Sequence, residues 1–143
     1  MNIELKCEEQ LRNMYISSFD NIDEKLFCEV PVFCRSIDVV KYNFKTGSIT
    51  AIEFKYTDWK RAIIQALSVS ICFDYLEICV PKPKTNRTQN YMIEECSRKG
   101  VGLYFYDEVQ NIFNEVLEPL KVQDIWKIQK SIVIEYVGGI NNE

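Results

Sequence analysis

Two alternating segments separated by a short polar break constrain this chain more than any other feature. In residues 36–44, Ile37 and Val39 point one way while Asp38, Val40 and Tyr42 point the other. In residues 48–56, Ile52, Phe54 and Tyr56 share one face and Ala51, Glu53 and Lys55 the opposite one. Lys45-Thr46-Gly47 lies between them, with Gly47 suited to positive φ. The pattern predicts an antiparallel hairpin. If Ile37, Val39, Ile52 and Phe54 all cover the core, then Asp38, Glu53 and Lys55 gather on the other face. A symmetric three-residue loop would set Asp38 opposite Phe54 and destroy that grouping. The reading therefore requires a two-residue loop or a bulge at Gly47.

The flanking sequence supplies an α/β layout. Ile3, Cys7, Leu11 and Met14 recur at helical spacing over residues 3–17, and residues 27–33 read as a strand, with Pro31 suiting an edge or a strand end. After the hairpin, Asp58 is placed to cap a long helix from Trp59 to about Phe73, apolar almost all round, with Gln65 its one long polar side chain from Ala62 onward. Residues 76–80 read as a central strand, 81–86 as a loop, 88–99 as a polar helix ended by Gly100, and 101–106 as another strand. Beyond Asp107, residues 111–117 form a candidate strand and residues 122–136 a candidate helix ending at Gly138-Gly139. No repeat or linker interrupts the 143 residues, so the chain reads as a single domain, with a core over about residues 1–106 and a C-terminal extension over about residues 107–143.

Composition removes several chemistries. The chain has no histidine, which excludes Ser–His and Cys–His nucleophilic machinery and leaves carboxylates, Lys, Tyr or metal-bound water for acid–base work. Its six cysteines include no CxxC pair and read as buried reduced thiols. Residues 1–9 carry no secretory pattern and no run approaches membrane-spanning length, so the expected location is the cytoplasm, away from membranes. A net charge of −4 means that any polyanion must be met by a local basic patch or by metal ions.

Two carboxylates and an ammonium on one hairpin form a natural seat for a hard divalent cation. Asp38, then Ile52-Glu53-Phe54-Lys55 on the next strand, then a helix holding Gln65, resembles the motif of the PD-(D/E)xK nuclease superfamily. The likeness covers about residues 27–81. Ile37 stands where the family name has proline. The resemblance implies a restriction-endonuclease-like αβββαβ core with a central mixed sheet flanked by helices. It implies Mg²⁺ or Mn²⁺ held by Asp38, Glu53 and the Phe54 backbone carbonyl, with Lys55 and Gln65 completing the catalytic set. Many members add a glutamate from the first helix, and Glu4, Glu8 and Glu9 all compete for that role.

The implied activity is metal-dependent phosphodiester hydrolysis of nucleic acid, as a DNA endonuclease acting as a homodimer. The alternative is a nuclease-fold module without catalysis that binds protein or nucleic acid. Lys60 and Arg61 sit in the first turn of a helix, where cations oppose the dipole. With Lys82, Lys84 and Arg87 they read either as phosphate contacts or as a solvated surface. Trp126 and the apolar stripe from Val122 read as core or dimer surface, and Tyr104 and Tyr106 as strand packing.

Overall fold

The structure, a computed structural model, describes residues 7–141, with side chains described through residue 138. It is an α/β fold in which a six-stranded mixed sheet is flanked by four helices among the described residues. In chain order the elements are α1 (Glu8–Ser18), β1 (Glu24–Val32), β2 (Arg35–Asn43), β3 (Ile49–Phe54), α2 (Trp59–Leu67), a 3-10 turn at Ser70–Cys72, β4 (Tyr75–Pro81), α3 (Asn86–Lys99), β5 (Gly102–Asp107), β6 (Ile112–Leu117) and α4 (Lys127–Asn141). The strands lie side by side in sequence order. β1, β2 and β3 are antiparallel neighbours, β3, β4 and β5 are parallel, and β6 returns antiparallel to β5.

The two parallel crossovers both step in the same direction across the sheet. Right-handed connections then put α2 and α3 on one face, and side chains from both helices and from α4 share one buried cluster with Val30, Ile37, Ala51, Ile78 and Leu103. Among the described residues α1 is the helix that covers the other face, where Leu11 and Tyr15 pack on Val39, Ile52, Phe54, Cys79 and Tyr106. Past the end of α1 that second face turns polar. There Lys41 and Glu77, both nearly buried, form an ion pair of 3.2 Å. Pro31 sits in β1, an edge strand, where a missing backbone donor is tolerated.

Local chemistry explains most boundaries. The Asp58 carboxylate accepts from the Arg61 N–H at 3.2 Å and opens α2. α2 ends at Leu67 rather than near Phe73, because the Ser68 hydroxyl donates back to the Gln65 carbonyl at 2.6 Å and the chain tightens into the 3-10 turn. α2 is amphipathic rather than apolar all round: Ala62, Ile63 and Ala66 are buried and Ile64 is exposed. Thr85 caps α3, and Gly100, at φ 72°, ends it. α4 starts later than residue 122 and runs through Gly138 and Gly139 to Asn141. Of the six free thiols, Cys72, Cys79 and Cys96 are buried, while Cys7, Cys28 and Cys34 are exposed. Tyr106 is strand packing, as expected, but Trp126 is exposed. Among the described residues no helix is long and apolar enough to cross a membrane.

Candidate active site

The connection between β2 and β3 sets the geometry of the site. Residues 44–47 form a four-residue loop closed by the Asn43 N–H on the Ser48 carbonyl at 2.9 Å. The Asn43 side-chain oxygen accepts from the N–H groups of Lys45 and Thr46, each at 3.0 Å. Gly47 takes φ +74° and donates to the Asn43 carbonyl. This is neither a two-residue loop nor a bulge, yet its even length gives the same pairing parity as the former. Tyr42 faces Ile49, Val39 faces Ile52, and the next step along brings Asp38 across from Glu53.

At that step the ladder stops. The Phe54 N–H, which points toward β2, donates to Asp38 Oδ2 at 2.8 Å instead of to a backbone carbonyl. The Lys55 N–H donates to the Cys79 carbonyl at 3.2 Å. The Phe54 carbonyl, on the same planar peptide, is therefore turned away from β4, to the side where Asp38 lies. On β1 the register sets Glu29 against Asp38, and Glu29 adopts φ 56°. The strands change face here. Val39 buries beneath α1, but Ile37 buries in the cluster on the opposite side of the sheet. The expectation that Ile37 and Val39 share one face is thus corrected. The sheet is covered on both faces, and the charged groups gather at its end, where β2 and β3 part between α1 and α2.

A cleft of about 440 Å³ opens at this end, lined by Glu8, Glu9, Arg12, Glu29, Arg35, Ser36, Asp38, Glu53, Phe54, Lys55 and Gln65. The motif residues Asp38, Glu53, Phe54, Lys55 and Gln65 all meet here, as do two of the three competing first-helix glutamates. Glu8 lies 3.8 Å from the Lys55 ammonium. Glu4 falls outside the described residues.

Glu53 is the electrostatic centre of the site. Its side chain is 2% exposed. Burial pushes its pKa up to about 8, helped by the charge of Asp38 and by a hydrogen bond between the two carboxyl groups, while Arg35 and Lys55 oppose the shift. Sequence reasoning missed Arg35. One guanidinium nitrogen lies 3.5 Å from Glu53 Oε1, and the other donates to the Gln65 carbonyl at 2.7 Å and to the Ser68 hydroxyl. A residue three before Asp38 should point to the other face of a regular strand, so only the splay of β2 brings it here. Arg12 and Glu29 form a second ion pair at the rim, where Ser36 Oγ also donates to Glu29 at 3.0 Å.

The five cations considered for phosphate contact do not line this cleft. The Lys60 ammonium rests over the rings of Trp59 and Tyr91, at 5.6 and 5.3 Å from their centroids. The Arg61 N–H serves the Asp58 cap. Lys82 pairs with Asp107 at 3.7 Å and shares a separate groove with Lys84. Arg87 is exposed on α3.

Among the described residues no three His, Cys, Asp or Glu side chains form a metal-binding group. The donor set is the pair Asp38 and Glu53. That pair suits a hard divalent ion such as Mg²⁺, which is commonly held by one or two carboxylates and keeps several waters. Burial and the neighbouring Asp38 charge disfavour the ionised form of Glu53, and a cation bound at the pair would offset both.

No family model matches the chain, and no curated protein matches it. Among solved structures it is similar to a protein of unknown function from Silicibacter pomeroyi. The TM-score is 0.68 at 16% identity, over 98% of this chain and 90% of that one. The likeness shows a shared fold and, at that identity, nothing further.

Proposed function

We propose that this protein is a metal-dependent nuclease that hydrolyses phosphodiester bonds in DNA as an endonuclease. One observation carries the reading: Asp38 and Glu53 face each other at the end of a splayed hairpin, inside a polar cleft that also holds Lys55. A buried Glu53 beside a half-buried Asp38 is costly, because each disfavours the charge of the other, and a bound cation would offset that cost beyond what Arg35 and Lys55 supply.

In this reading Asp38, Glu53 and the Phe54 carbonyl hold Mg²⁺ or Mn²⁺. The bound metal supplies charge that polarises the phosphate and acidifies a water. The protein's own groups do the rest. Glu53 gives up its proton when the site fills. Asp38 keeps one oxygen on the Phe54 N–H, which fixes the direction of the other. Lys55 meets a phosphate oxygen or orients the attacking water, moving away from Glu8 to do so. Arg35, braced on Gln65 and Ser68, keeps Glu53 pointed into the cleft.

The test is cleavage of plasmid and oligonucleotide substrates with Mg²⁺ or Mn²⁺, comparing the wild type with Lys55→Ala. Absence of cutting with either metal, on double- or single-stranded DNA or on RNA, would overturn the reading. A non-catalytic binding module is the second reading. The charge balance of the cleft favours it: five carboxyl groups, one of which, Glu53, is held protonated by burial, against Arg12, Arg35 and Lys55. Mn²⁺ separates the two, because only the first requires the ion to raise the melting temperature.

A further inference from the structure

Two hydrogen-bond donors from different elements converge on one carboxylate at the rim of the cleft. The Arg12 guanidinium, from α1, donates to Glu29 Oε1, and the Ser36 hydroxyl, from β2, donates to Glu29 Oε2 at 3.0 Å. All three residues line the cleft. A guanidinium beside a hydroxyl suits any oxyanion, and a phosphate presents its acceptor oxygens much as a carboxylate does.

Three observations mark Glu29 as a stand-in for another anion. Its carboxylate reaches this corner from strained backbone: Glu29 takes φ 56°, in the left-handed region that few residues other than glycine enter. Strain of this kind collects at functional sites. The match is also incomplete. Arg12 Nε is buried and has no hydrogen-bond partner among the described residues, so Glu29 leaves part of the guanidinium's donor set unused. Finally, the two partners are held unequally. The Arg12 side chain is 17% exposed and that of Glu29 59%. The cation is fixed in place, while the anion sits where it can swing out to water.

Ser36 stands two residues from Asp38, so this corner lies about 7 Å along β2 from the paired carboxyl groups. It is within reach of the phosphate next to the one at Asp38 and Glu53. We propose that Arg12 and Ser36 form a subsite for that flanking phosphate, and that Glu29 holds the subsite until a nucleic-acid strand displaces it. The subsite rests on the nuclease reading of this cleft, but it binds rather than cuts, so a readout without catalysis reports on it separately.

Fluorescence anisotropy of a labelled single-stranded DNA oligonucleotide, in EDTA and again with Ca²⁺, tests it. Arg12→Met should weaken binding by about tenfold, as expected for one charge-assisted contact, and should lower the slope of log affinity against log salt by about 0.7. Glu29→Gln should tighten binding by about threefold or more, because the guanidinium is no longer held by a carboxylate. The double variant should bind no better than Arg12→Met alone. Should Arg12→Met fail to fold, Arg12→Gln takes its place in the cycle, since its amide can still donate to Glu29. Two changes that simply add overturn the subsite, because a general charge effect then explains both. Two changes that both weaken binding overturn it in favour of a structural tie between α1 and β1. Failure of both the wild type and Glu29→Gln to bind in either buffer overturns it as well. Cleavage with Mg²⁺ by the same proteins judges the nuclease reading apart from this. The expected binding pattern without cutting sinks that reading and leaves the subsite, whereas cutting by a wild type whose Glu29→Gln variant binds no tighter sinks the subsite and leaves the reading.

Discussion

Asp38 stands across from Glu53, one step past the last pair of the β2–β3 ladder, and one of its oxygens takes the Phe54 N–H at 2.8 Å. A single side chain thus ends the ladder and holds a second carboxyl group in a strained electrostatic state. The two duties separate by substitution. Asp38→Asn keeps an oxygen for the Phe54 N–H and should lose little stability. Asp38→Ala leaves that N–H without a partner and should cost about 1–3 kcal/mol. Both should abolish the rise in melting temperature produced by Mn²⁺. Thermal melts with and without the ion check both statements.

Glu53 should make the fold less stable as pH rises. Its folded pKa of about 8 lies above the ordinary glutamate value of 4.5, so the native state binds the extra proton throughout that window. Stability then falls from about pH 4.5 to about pH 8 and levels off beyond. Glu53→Gln keeps the shape and removes the titration. It should raise the melting temperature by about 5 °C at pH 8.5, as expected for about 1–2 kcal/mol in a domain of this size, and by little at pH 4.5. Scanning calorimetry across pH without metal is the measurement.

Arg35 favours the ionised form of Glu53. Replacing it with Met should raise the pKa of that carboxyl further, so the pH midpoint of the Mn²⁺ response should move up by about 1 unit. The variant should also lose stability, because the Gln65 carbonyl and the Ser68 hydroxyl lose their guanidinium partner. A midpoint that does not move would limit Arg35 to a structural role.

Lys55 and the lysines of the neighbouring groove should behave differently. Lys55→Ala should reduce cleavage by about 100-fold or more while leaving the Mn²⁺ stabilisation in place. The pair Lys82→Ala and Lys84→Ala should weaken substrate binding at most, and should make that binding less salt-sensitive if a phosphate lies there. Cleavage rates at saturating DNA separate the two effects.

Asp74 should prove a main anchor of the fold away from the site. It is buried, its Oδ2 accepts from the Ile49 N–H at 2.8 Å, and the Lys130 ammonium of α4 lies 2.8 Å from the same oxygen. Asp74→Ala removes one partner of a nearly buried pair and should cost about 3–5 kcal/mol in urea unfolding.

Much of this was legible in the residues. Alternation located β2 and β3, Asp58 and Gly100 marked the ends of their helices, and the spacing of Glu53 and Lys55 predicted that they would share a site. Helix lengths were less legible. The apolar run after Leu67 keeps helical spacing, but Ser68 offers its own carbonyl-seeking hydroxyl and the chain turns. The start of α4 was hidden for a similar reason, since residues 122–126 carry helix-like spacing but run as a bent, irregular lead-in.

The local pattern of side chains determined which segments are strands and helices, and it singled out Asp38, Glu53 and Lys55, because periodicity and turn chemistry act over a few residues. Tertiary structure alone decided where those groups meet. The splay between β2 and β3, the positive φ of Glu29 and the covering of the sheet on both faces moved the site from an open face to a strand end and brought Arg35 into it. Such effects depend on packing between segments far apart in the chain, and no short window of sequence contains them.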